Sequence, residues 1–133
     1  MRIMLDTNIL ISAGLFPNDT VNRLIEYIVI KHELVLSNLI VDELVKVSGY
    51  EKFDRELDMW KFLQKLTFTE FKTPAIEKID GVSIRDEDDY PILFSAIRAN
   101  VDVFITGDKD FIECGVTSPM IMTMAEFDKY HTD

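Results

Sequence analysis

The chain has little of several things, and each shortage removes a class of function. Cys114 is its single cysteine, so no internal disulfide can form, which agrees with a reducing compartment. With only two histidines, His32 and His131, and neither near that thiol in sequence, a thiol nucleophile or a zinc centre lacks the donors it needs. Five glycines and four prolines are too few for a linker or a disordered tail. Thr106-Gly107-Asp108-Lys109 lacks the spacing of a phosphate-binding loop. No apolar run approaches the roughly 18 to 20 residues of a membrane span, and no basic segment leads into a signal-peptide core. We therefore expect one non-exported, cytoplasmic domain over residues 1–133 with no membrane contact. Bases are also scarce, 14 against 24 acids for a net charge of −10, which excludes a protein that coats nucleic acid by charge alone. A polyanionic ligand would require a cation held among the carboxylates to offset that charge.

What is present is 47% hydrophobic residues arranged in short blocks. Arg2 to Leu5 predicts a buried strand, after which Asp6-Thr7-Asn8 turns the chain into a brief apolar helix ending near Gly14 and Pro17. The spacing of Val21, Leu24, Ile25, Ile28 and Val29 predicts an amphipathic helix capped by Asp19 or Thr20. Glu33 to Leu36 predicts a second strand, and Ser37 or Asn38 caps a helix running to about Ser48. Glu51 to Lys65 reads as a further helix that turns one face, drawn from Phe53, Leu57, Trp60, Phe62 and Leu63, to the core. A strand over Thr67 to Phe71, a loop over Pro74 to Asp86 and a helix over Asp88 to Asn100 follow. Strands at Val101 to Thr106 and Met120 to Met122, separated by a turn at Gly107, precede a last helix over Met124 to Tyr130. This alternation predicts a parallel sheet covered by helices on both faces, in which ligands bind beyond the carboxyl ends of the strands.

The placement of the acids follows that rule. Asp6 interrupts the apolar run IMLDTNILIS at a strand end, and a buried acid is costly unless it is satisfied. Asp108 follows VDVFIT at another strand end. In NLIVDELVKV, Glu43 falls beside the stripe of Ile40, Leu44 and Val47, whereas Asp42 points away. In RDEDDYPILFSAIRAN, Asp89 projects at the centre of the stripe of Ile92, Leu93, Ala96 and Ile97, while Asp86 or Asp88 reads as an N-cap ahead of Pro91. Each acid alone has a plainer role: Asp6 as a cap, Asp108 or Asp110 as turn formers, Glu43 on the surface. Gathered at one edge they would repel without a cation, and oxygen-only donors suit Mg²⁺ or Mn²⁺ better than zinc.

Four blocks, MLDTNIL, LSNLIVDEL, DEDDYPILFSAI and FITGDKDF, taken in this order over nearly the whole chain, resemble the PIN domain, a family of small metal-dependent nucleases that includes the VapC-like toxins. The resemblance implies a three-layer α/β/α sandwich with a central, mostly parallel sheet of about five strands. It also implies that Asp6, Glu43, Asp89 and Asp108 are the catalytic, metal-holding acids, so that no core acid is missing. Asn8 and Thr106 would be polar residues at the pocket, Ser37 would cap and orient the helix of Glu43, and Asp110 would be a weaker candidate. The implied activity is hydrolysis of phosphodiester bonds in single-stranded RNA with Mg²⁺ or Mn²⁺, by a homodimer that a small antitoxin protein neutralises. The helices between Thr20 and Lys65 could supply either protein contact, and Lys46, Lys52, Arg55 and Lys109 could guide the strand or be ordinary solvated charge. Three rivals remain. A haloacid-dehalogenase-type phosphatase needs a second acid two residues after the first, where this chain has Asn8. A receiver-type signalling module needs adjacent acids after the first strand and a phosphoacceptor Asp after a middle one. A catalytically idle PIN-like binding module could keep every acid.

Overall fold

The computed structural model describes residues 1–132. Five strands form its sheet: β1 (Arg2–Leu5), β2 (Glu33–Ser37), β3 (Thr69–Phe71), β4 (Val103–Ile105) and β5 (Met120–Met122). Their order is β3-β2-β1-β4-β5, and every neighbouring pair is parallel. Ile3, Met4 and Leu5, then Leu34, Val35 and Leu36, then Val103, Phe104 and Ile105 are all buried. Unbroken apolar runs of this kind belong to strands covered on both faces, where alternation would place a polar group in the core.

The helices are α1 (Thr7–Leu15), α2 (Asp19–Lys31), α3 (Asn38–Ser48), α4 (Glu56–Lys65), α5 (Tyr90–Arg98), α6 (Lys109–Ile112) and α7 (Met124–His131), with a 3₁₀ turn at Glu87–Asp89 before α5. The chain steps outward from β1 through β2 to β3, then crosses back to β4 and β5 on the other side of β1. Right-handed crossovers in opposite directions put their helices on opposite faces, giving the three-layer sandwich. The strand order reverses between β1 and β4, and in sheets of this kind ligands bind beyond the carboxyl ends of the strands at such a point.

Several boundaries differ from those predicted. The cap of α2 is Asn18, whose side-chain oxygen accepts from the Thr20 amide at 2.8 Å, ahead of the expected Asp19 or Thr20. The helix expected from Glu51 begins only at Glu56, because Asp54 adopts a positive φ of 47° that breaks the helical path. Its core face agrees in part: Leu63 is buried and Phe53 and Phe62 pack against the core as expected, Met59 is buried beside them, and Leu57 and Trp60 are instead 66% and 45% exposed. Gly14 explains the close seat of Met59, since a Cβ there would lie 2.9 Å from the Met59 methyl. The strands β3 and β4 are shorter than the runs that predicted them, and α6, a single turn after Asp108, was not predicted. The expected loop is present between β3 and the 3₁₀ turn. No helix among the described residues is long and apolar enough to cross a membrane.

Candidate metal centre

Parallel pairing of β1 with β4 sets Leu5 opposite Ile105, so the next residues, Asp6 and Thr106, emerge side by side at the carboxyl edge. The Asp6 amide donates to the Ile105 carbonyl at 2.9 Å, extending the ladder to the acid itself. Asp6 is 7% exposed, and both of its carboxylate oxygens are engaged. One accepts from the Thr7 amide at 2.7 Å, which makes Asp6 the N-cap of α1. The other accepts from the Thr106 hydroxyl at 2.7 Å. The same hydroxyl oxygen accepts from the Asp108 amide at 3.0 Å, so one fully buried threonine ties the acid of β1 to the acid that follows β4. Burial pushes the Asp6 carboxyl above its ordinary value, with Asp108 adding repulsion, while the bonds from Thr106 and Thr7 oppose the shift.

Asp108 caps α6 by accepting from the Asp110 amide at 2.9 Å, a turn that folds Asp110 back toward it. Carboxylate oxygens of Asp89, Asp108 and Asp110 lie within 4.8 Å of one another. Asp89 stands at the junction of the 3₁₀ turn and α5, and its carboxyl is pushed up to about 6, by burial first and then by the charges of Asp108, Asp86, Asp6 and Asp110. Glu43 on α3 is raised by burial and by Asp6, an effect that Lys46 counters. Glu43 was expected on the inward arc of its helix but is exposed, and its link to the cluster is the charge of Asp6. Asp110, read as the weaker candidate, sits inside the tight group. Its signal in the sequence was the Asp-x-Asp spacing of GDKD, which also fits a turn.

The remaining residues surround this cluster. Ser37 ends β2 and caps α3 as expected, accepting from the Ile40 amide at 3.3 Å, and its hydroxyl lies 2.9 Å from that of Ser95 on α5. That buried pair joins the helix of Glu43 to the helix that follows Asp89. Asn8 is exposed on the first turn of α1, and Asp86 caps the 3₁₀ turn by accepting from the Asp88 amide at 3.0 Å. Two of the possible strand guides have structural work instead. Arg55 bonds the Leu15 carbonyl and pairs with Asp58 at 2.8 Å, tying α1 to α4, and Lys52 lies 4.9 Å over the Phe53 ring.

Whether a divalent ion fits is a question of donors. The cluster offers only oxygens, three of them within the span of one coordination sphere, and burial together with the neighbouring acids raises the Asp89 carboxyl. Hard cations such as Mg²⁺ and Mn²⁺ meet both conditions.

Comparison with known proteins bears on the fold and the family. No curated protein sequence matches the chain. Among solved structures, VapBC2 from Rickettsia felis, bound to a DNA fragment from its promoter, contains a similar chain with a TM-score of 0.67 and 17% sequence identity. The match covers 92% of this chain and 97% of that one, and at this identity it shows a shared fold. The family model of the PIN domain matches residues 2–110, a span that holds every acid of the cluster. The chain belongs to the PIN domain family.

Proposed function

We propose that the protein is a divalent-metal-dependent ribonuclease that hydrolyses phosphodiester bonds of single-stranded RNA, and that it is the toxin of a toxin-antitoxin pair, working in the cytoplasm as a homodimer. The observation that carries this reading is the meeting of Asp89, Asp108 and Asp110 beside the Thr106-fixed Asp6, at the point where the strand order reverses. The structural likeness to VapBC2, a complex by its name, supports a protein partner.

Asp89, Asp108 and Asp110 would hold the ion, with Asp6 beside them and Glu43 at the margin. A bound Mg²⁺ or Mn²⁺ supplies Lewis acidity toward the scissile phosphate and lowers the pKa of an attacking water. The protein's own part is positional. Thr106 and the Thr7 amide hold the Asp6 carboxylate in place through one hydrogen bond to each of its oxygens. The Ser37–Ser95 contact holds the flanking helices in register.

The test is cleavage of a panel of single-stranded RNAs by wild type and by a folded Asp89→Asn variant, in Mg²⁺, in Mn²⁺ and in excess EDTA. Cleavage should require the metal and fall by orders of magnitude in the variant. Intact RNA after incubation with well-folded, metal-loaded wild type would favour a binding module, and cleavage that survives both EDTA and the substitution would refute the site.

A further inference from the structure

The loop between β3 and the 3₁₀ turn has features that the acidic cluster does not use. It leaves the sheet at the carboxyl edge, where Phe71 pairs with Ser37 and the Thr73 amide donates to the Asn38 side chain at 2.8 Å. It returns at Asp86, three residues before Asp89, so its second end adjoins the acids. Its course is fixed by α5. The Tyr90 hydroxyl accepts from the Ile79 amide at 3.0 Å and donates to the Glu77 carbonyl at 2.6 Å. Further along the same helix, Arg98 lies 3.8 Å from the Glu77 carboxylate. Between this loop and α5 is a cavity of about 380 Å³ walled by Ile76, Val82, Ile84 and Tyr90, with Lys78 and Glu87 among its polar lining. That volume lies near the lower end of the roughly 300–1,000 Å³ of ligand clefts, room for one base and its sugar and not for a longer segment.

We propose that this cavity is a subsite for a single unpaired base of the substrate strand, next to the nucleotide whose phosphate reaches the acids. The inference rests on the ribonuclease reading and adds the origin of its sequence preference. Single-stranded RNA is read by splaying a base onto apolar or aromatic surface and bonding its edge, and the apolar walls with a polar rim offer both. The loop also carries less negative charge than the chain as a whole. Lys72, Lys78 and Arg85 are matched by Glu77, Asp80 and Asp86 between residues 72 and 86, so the loop is neutral in a chain of net −10. Lys78 answers a flanking phosphate. The Glu87 carboxylate accepts from an exocyclic amino group, as carboxylates do from cytosine N4, so amino-bearing bases bind better than uracil.

The experiment measures fluorescence anisotropy of labelled RNA hexamers, uridine throughout except for one varied base, with Ca²⁺ in place of Mg²⁺ and the RNA checked intact by gel. The proteins are wild type, Ser83→Trp, which fills the cavity from an exposed position, and Ile76→Glu, which puts a repelling charge in it. Both variants should keep the wild-type circular dichroism and Mn²⁺ affinity. Wild type should bind hexamers with an amino-bearing base at one position several-fold tighter than oligouridine, and each variant should lose that preference. The subsite is overturned by wild type that does not bind or does not discriminate, or by variants that discriminate as wild type does. Cleavage of the same RNAs in Mg²⁺ separates the two ideas: base-selective binding without cleavage refutes the nuclease and keeps the subsite, and cleavage without selectivity does the reverse.

Discussion

Asp6 is an acid in a place where hydrophobic packing alone would put valine, and its satisfaction depends on one hydroxyl and one amide. The resulting balance has a sign that can be measured. Asp89, with an ordinary value of 3.8, is raised to about 6 in the folded protein, and Asp6 and Glu43 are raised as well. Groups of this kind bind protons more readily when folded than when unfolded, so their favourable contribution is complete below their unfolded pKa and is lost as pH rises through the folded one. In EDTA, the thermal midpoint should therefore fall as pH rises from about 4 to about 7. Added Mn²⁺ should restore it, and by more at the upper end of that range, where the carboxylates are ionised and the ion no longer competes with protons. Calorimetry across this range, with and without metal, checks both. A metal-free midpoint that rises through the window would mean that the acids are not crowded in solution.

The element that departs furthest from its sequence reading is α4. Leu57 and Trp60 are large and apolar and were expected on the core face with Phe62 and Leu63, yet they face outward, and Met59 is completely buried. Met is unbranched and fills the irregular gap above Gly14, where α1 and α4 approach closely. Met59→Ala should cost about 2–5 kcal/mol through the cavity it leaves. Leu57→Ala, at an exposed position, should stay within about 0.5 kcal/mol. Urea denaturation of the two variants distinguishes this packing from the one the sequence suggested, for which the order would be reversed. The lesson extends to the site. Asp6 and Asp108 were legible because each lies at or just beyond the end of an apolar strand, and the strand order then placed them together. Asp89 was legible because it breaks an apolar stripe. Asp110 was legible only as a weaker candidate, because Asp-x-Asp also makes a turn, and here it makes the turn and joins the cluster. The start of α4 was obscured in the same way: a left-handed Asp54 is a tertiary outcome that helical periodicity does not encode.

For the whole molecule, the question is how a chain of net charge −10 engages RNA. A protein that grips nucleic acid through many Lys and Arg contacts releases a counterion for each, and its affinity falls steeply with salt. Here Arg2, Arg55 and Arg98 are spent on contacts within the fold, and the cations beside the site are few. Binding should thus depend weakly on monovalent salt, with a log–log slope no steeper than about −2, the value for two or three phosphate contacts on a single strand. It should depend strongly on divalent metal, since without the ion the acids face the phosphate directly. Anisotropy titrations of a single-stranded RNA in Ca²⁺ over a range of KCl, repeated in EDTA, give both dependences. A shallow slope with binding lost in EDTA would place the attraction at the metal centre, while a steep slope that persists in EDTA would place it on a basic surface distant from the acids.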